Sequence, residues 1–209
     1  DSSYLDHESF ILLFTYLLHF EYNIHLDWKM TYCLAIKIND GLVFASDSRT
    51  NAGLDNISTY SKMFTFNVGD RAFVILTSGN LSTSQAVYHR IEKDMASNDA
   101  VRSLNTCADI EEVATYIGEL NVEYQSKAQE NLNQGSSLLG SYFIVGGQIK
   151  GQDPNLLLVY PEGNFIYMSD DQPYLQIGEI KYGKPILDRM IYQNISLGDA
   201  ARVALLSLD

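Results

Sequence analysis

The sequence predicts an α+β protein built as a four-layer αββα sandwich of two antiparallel sheets. Three observations lead there. Elements come in blocks, in the order ββββ, αα, βββ(β), αα. Turn residues join neighbouring strand segments, which favours antiparallel pairing between sequence neighbours. The helices come in pairs, each with one apolar stripe that has to be covered. Two sheets packed face to face, with a helix pair outside each, would bury every stripe.

TYCLAIKI and LVFASDS flank Asn39-Asp40-Gly41, a hairpin signal. KMFTFNV and RAFVILTS flank Gly69-Asp70 and read as a second hairpin. Two helices follow. One over roughly 80–96 aligns Leu81, Tyr88, Ile91 and Met95; the other, over roughly 108–130, aligns Ile110, Val113, Ile117, Leu120 and Tyr124. Asp109 suits the positive end of the second helix. SYFIVGGQI, NLLLVYP and NFIYMS then form a second strand block, with Pro161-Glu162-Gly163 as a turn. KPILDRMIY and GDAARVALLSL close the chain as helices.

With 26 acids against 14 bases, a net charge of −12 repels phosphate backbones and anionic lipid, so no nucleic acid and no membrane is expected as a partner. Two cysteines, Cys33 and Cys107, form neither a disulfide framework nor a zinc-site spacing, which suits a reducing, cytoplasmic setting. The first 30 residues differ from the rest. They hold His7, His19 and His25, the single Trp28 and the apolar run FILLFTYLLHF. That run is shorter than the roughly 20 apolar residues a bilayer span needs. The acidic start, with Asp1, Asp6 and Glu8, is unlike a signal peptide. The histidine spacing matches no compact ligand pattern, and neither metal nor cofactor is expected.

Common catalytic signatures are missing. Gly146-Gly147 lacks the rest of a phosphate-binding fingerprint. His89, the one histidine after the leading segment, reads as a surface residue of a helix rather than a triad base. A nucleophile without histidine has a minimal solution: an N-terminal threonine whose α-amino group takes the proton from its own hydroxyl. The reference pKa of such an amine, near ~8, leaves part of it neutral around physiological pH. Thr31 follows the first methionine, Met30, and is small enough for a methionine aminopeptidase to expose.

Hairpin register supplies a geometric test. A three-residue Asn39-Asp40-Gly41 loop sets Thr31 opposite Arg49, with Asp47 a diagonal neighbour on the same face. A two-residue Asp40-Gly41 turn sets Thr31 opposite Thr50 and points Asp47 away. The first register gathers hydroxyl, amine, carboxylate and guanidinium at one strand end, where Lys62 can join them. From the residues alone a surface ion cluster remains an equal alternative.

The runs TYCLAIKINDGLVFASDSRTNAGLDNISTYSKMFTF, LTSGNLSTSQAV and LQIGEIKYGKPILDR resemble the proteasome-type threonine peptidases, which are N-terminal nucleophile hydrolases, and among them the bacterial branch called Anbu, the ancestral β subunit group. The resemblance runs from Met30 to Asp209. It implies a nucleophile at Thr31, a tuning pair at Asp47 and Lys62 with Arg49 in the cluster, and an oxyanion-hole glycine at Gly79. Thr77 and Leu81 flank that glycine as candidate pocket residues. The implied activity is hydrolysis of peptides or unfolded protein by subunits assembled into a ring or open helical ring. The alternative is a catalytically silent assembly subunit that keeps its leader. A remoter one, hydrolysis of small amides, has no support in any motif.

Three departures stand out. Gly178-Glu179-Ile180 replaces the Gly-Ser-Gly that the family places near its nucleophile. The family's late acid falls on Asp209, where the sequence stops before the serine expected beyond it. Family propeptides end in glycine, whereas Met30 precedes Thr31 here. The expectation is therefore a leader or mis-assigned upstream segment over 1–30 that lies outside the fold. Residues 31–209 would form the peptidase domain, cut short at its C-terminus and active only once 1–30 are removed.

Overall fold

A computed structural model describes residues 12–14, 31–47, 49–51, 57–132 and 140–208, with side chains over 31–47, 60–130 and 140–208. After the short β1 (Leu12–Phe14) come β2 (Tyr32–Ile38), β3 (Gly41–Ser46), β4 (Arg49–Asn51), β5 (Ile57–Thr59), β6 (Met63–Val68) and β7 (Arg71–Gly79). Helices α1 (Leu81–Ala96) and α2 (Ile110–Leu132) follow, then β8 (Ser141–Ile149), β9 (Asn155–Val159), β10 (Phe165–Tyr167) and β11 (Tyr174–Gly178). The last elements described are α3 (Lys184–Met190) and α4 (Leu197–Leu206).

The expected αββα sandwich is present. One sheet has the order β1-β3-β2-β11 and the other β10-β9-β8-β7-β6, with β4-β5 as a separate small ladder. Apart from β1, which runs parallel to β3 and so places three residues of the segment expected outside the fold at the edge of this sheet, the described ladders are antiparallel. Burial is divided among three layers. Leu34, Ile36 and Ile38 of β2 pack with Leu187, Ala200 and Val203 of α3 and α4. Cys33 and Ala35, from the same strand, pack between the sheets with Phe44, Leu76, Ile144 and Leu156. Phe73, Ile75, Phe143 and Val145 pack against Val87 of α1 and Ile117 of α2. With both faces of β2 covered, its sequence is almost continuously apolar instead of alternating.

Helix ends follow their sequence signals. Asn80 caps α1, its Oδ1 accepting from Thr83 N at 3.0 Å. Asp109 and Glu112 cap reciprocally at the start of α2: Glu112 N donates to Asp109 Oδ1 at 2.8 Å, and Ala108 N to Glu112 Oε2 at 2.7 Å.

Two expectations need correction. Pairing between sequence neighbours does not extend to whole blocks: β6–β7 leave β2–β3 and join β8 across the helix pair, while β11 returns to β2. The β2–β3 register is also neither of the two expected. Ile38 pairs with Gly41 and Cys33 with Ser46, so the turn is Asn39-Asp40. Gly41, at φ +145, takes the first strand position, and the turn is anchored from outside the hairpin. Asn39 N donates to Gln193 O at 2.9 Å and Asn39 Nδ2 to Asn194 Oδ1 at 2.6 Å. Asp47 therefore comes opposite Tyr32, whose carbonyl accepts Asp47 N at 3.0 Å. Arg49 is not opposite Thr31 in this ladder; it opens β4, paired with Thr59.

Candidate active site

Thr31 stands one residue before β2, half-buried. Side chains alternate along the strand, so Thr31 takes the side of Cys33 and Ala35, between the two sheets. Its main chain is pinned from β11: Glu179 N donates to Thr31 O at 2.7 Å. Gly178, at φ +92, lies so close that a Cβ there would come 1.9 Å from Thr31 O. Only glycine fits.

Asp47 ends β3 beside this point. Its Oδ1 accepts the N–H of Tyr32 at 2.8 Å, in effect extending the ladder with a side chain. Lys62 immediately precedes β6, is 5% exposed, and sends Nζ to Oδ1 and Oδ2 of Asp47 at 2.9 and 2.7 Å. The main chain of Lys62 is fixed to the next strand by Thr77 N donating to Lys62 O at 2.9 Å. An ion pair this enclosed is costly to break, because removing one partner leaves a charge poorly solvated. The Cys33 thiol, on the Thr31 side of β2, feels the pair. Burial pushes its pKa up, the Asp47 charge adds to the rise and Lys62 opposes it.

Gly79 ends β7 at φ +116, with space for a Cβ closed off by Gly140 O at 2.7 Å. N–H groups alternate between neighbours along an antiparallel strand. Thr77 N points to β6 and Asn80 N to Gly140 O, so the Gly79 N–H faces the Lys62 side, beyond the last β6 pair of Met63 with Leu76. That places the Gly79 N–H beyond the paired residues of the β6–β7 ladder.

With this geometry in place, the comparisons are decisive: the chain matches the proteasome subunit family over residues 30–209. It belongs to the proteasome family. It is 40% identical to Anbu from Yersinia bercovieri (TM-score 0.80, covering 85% of this chain and 74% of that one). It is 44% identical to the Anbu of a helical assembly from Pseudomonas aeruginosa (TM-score 0.79, 85% and 73%). It is 43% identical to Anbu from Hyphomicrobium sp. strain MC1 (TM-score 0.73, 85% and 73%). None of the curated proteins compared matches it.

In this proteasome-family chain the structure brings Thr31, Asp47 and Lys62 to one end of the sandwich. The side chain of Arg49 lies outside the described residues, as do Asp209 and the histidines of the leading segment. Thr77 faces α1, 5% exposed, with Oγ1 2.8 Å from Ser84 Oγ. It supports the turn from behind. Leu81 is half-buried as the first residue of α1. His89 is exposed beside Glu92, as expected of a surface residue. Among the described residues no cluster of His, Cys, Asp or Glu is placed to hold a metal, and no helix is long and apolar enough to cross a membrane.

Two main-chain contacts at this point carry no signal in the sequence: Tyr32 N donates to Asp47 Oδ1 and Glu179 N to Thr31 O. Main-chain donors have no residue-type signal. Gly178 was the one visible clue to the close approach.

Proposed function

We propose that the chain is a threonine-type endopeptidase whose nucleophile is Thr31 once that residue is N-terminal. One observation carries the proposal: the enclosed Lys62–Asp47 pair is fastened through Tyr32 N to the residue next to Thr31. Enclosed charge of this kind is hard to explain as packing, since apolar residues of the same volume are usually at least as stable there. Beside a threonine it has a use: the Lys62 ammonium favours ionised hydroxyl and neutral amine, and Asp47 holds it in place.

In the proposed reaction Thr31 Oγ attacks the peptide carbonyl carbon while the free Thr31 amine, directly or through water, takes the hydroxyl proton. The carbonyl oxygen becomes an oxyanion and accepts from Gly79 N. The C–N bond breaks, the amine returns the proton to the departing peptide nitrogen, and an ester remains on Thr31. Water, deprotonated by the same amine, hydrolyses the ester and restores the hydroxyl. Peptides or unfolded protein segments are the proposed substrates. Self-association is proposed too, supported by the helical assembly of the Pseudomonas aeruginosa relative.

The test is cleavage of a fluorogenic peptide panel by the purified protein and by Thr31→Ala. Loss of turnover in the variant supports the proposal; equal activity refutes it. A silent assembly subunit is the reading that stands if neither form cleaves and residues 1–30 remain, because an acylated Thr31 nitrogen cannot act as the base.

A further inference from the structure

We propose that Tyr32 is a positioning residue that couples the α3–α4 helix layer to the nucleophile; this rests on the peptidase reading of Thr31. Tyr32 is held at both ends. At the main chain its N–H donates to Asp47 Oδ1 at 2.8 Å and its carbonyl accepts from Asp47 N at 3.0 Å. At the far end of a 7% exposed side chain, the phenol donates to Ser207 Oγ at 3.0 Å and accepts from Gln176 Nε2 at 2.6 Å. Ser207 is the C-cap of α4, and its hydroxyl donates to Ala204 O at 2.7 Å. Gly183, just before α3, lies close enough that a Cβ there would come 2.3 Å from the phenol oxygen.

The ring is thus a rigid strut. Its outer end is set by the start of α3, the end of α4 and β11; its inner end sets the peptide unit between Thr31 and Tyr32 and one oxygen of Asp47. Packing alone does not require the hydroxyl, because a phenylalanine fills nearly the same volume. The buried hydroxyl has both an acceptor, Ser207 Oγ, and a donor, Gln176 Nε2, so it is specifically accommodated, and burial pushes its pKa up. Displacement of a reacting group by a fraction of an ångström is enough to cost a large factor in rate. A helix layer that shifts its α4 end therefore changes the geometry of Asp47 and Thr31 without touching either.

The experiment compares wild type, Tyr32→Phe, Ser207→Ala and the double variant in the preparation whose Thr31→Ala form has lost activity. Tyr32→Phe is expected to lower kcat about tenfold or more with KM within about twofold. Ser207→Ala should lower it in the same sense, and the double variant should be no worse than Tyr32→Phe, the signature of one shared interaction. Exposed Tyr192→Phe serves as the unchanged control. Amide exchange at residue 32, which reports the bond to Asp47 without turnover, should accelerate in Tyr32→Phe. Unchanged kcat and unchanged exchange in Tyr32→Phe overturn the positioning role alone, as do losses that multiply independently in the double variant. If no activity depends on Thr31, the peptidase reading fails and this role falls with it.

Discussion

In the proposed peptidase reaction, Lys62 is the residue on which the chemistry turns. Replacing it by methionine keeps the length of the side chain but leaves the Asp47 carboxylate without its ammonium. The expected outcome is loss of peptide cleavage by about 10²-fold or more, read in kcat, with a stability loss of about 3 kcal/mol. That figure is at the lower end for a buried pair because the Asp47 side chain is 22% exposed. Urea denaturation and steady-state kinetics check the two halves separately. Gly178→Ala provides a different test: the new Cβ would meet Thr31 O, so the variant should lose activity even though no reacting group is altered. Full activity in purified Gly178→Ala would show that the Thr31 main chain need not be where β11 pins it. Thr31, Asp47 and Lys62 could be singled out in the sequence as candidates because hydroxyl, carboxylate and ammonium are types that chemistry selects, whereas Gly79 was singled out by the family resemblance. The N–H groups of Tyr32 and Glu179 were not, because any residue but proline supplies one.

At the scale of elements, strand and helix positions followed from periodicity and turn residues, with boundaries close to those expected, except for the three-residue strands β1, β4 and β5, which are too short to show a period. Register was harder. Asn39-Asp40-Gly41 is compatible with several turns, and the choice is made by Gln193 and Asn194, more than 150 residues away in sequence. Strand order is not readable locally for the same reason: nothing in β11 itself says that it pairs with β2. Gly146-Gly147, visible as a motif without a nucleotide fold around it, proves to be a packing device. A Cβ at Gly146 would lie 2.5 Å from Phe44 Cζ and Leu156 Cδ2, and one at Gly147 would lie 2.2 Å from Ala72 O. Gly146 lets the two sheets close over Phe44, and Gly147 leaves room for the neighbouring β7 at Ala72 and Phe73. Gly146→Val is expected to cost about 1–3 kcal/mol by overpacking. Phe44→Ala is expected to cost about 3–5 kcal/mol by leaving a cavity at the same place. Chemical denaturation of both variants measures this, and the double variant should cost less than the sum, since each lesion relieves the other.

For the whole molecule, buried protonated groups set an alkaline limit. Burial raises the Cys33 thiol, and it raises Cys107 from an ordinary 9.0 to about 11. The Tyr116 phenol, buried and donating to Asp94, is raised in the same way. The folded state thus holds protons that the unfolded chain releases from about pH 9 upward. The stabilisation is complete below that pH and is lost as pH rises towards the folded-state values. For fully buried Cys33 the loss is about 1.4 kcal/mol per pH unit within that window. Urea midpoints at pH 7, 9 and 10 should fall in that order, and Cys33→Ala should flatten the fall above pH 9.

The fold and family explain the architecture, and the proposed peptidase requires that Thr31 react as an N-terminal residue. It is tested most directly by the intact-mass spectrum of the active protein after treatment with a slowly hydrolysed peptide acylating agent. The expected product is a chain that begins at Thr31 and carries one acyl group on that residue. A chain that still cleaves peptide while retaining residues 1–30, or an acyl group on any other residue, would contradict it.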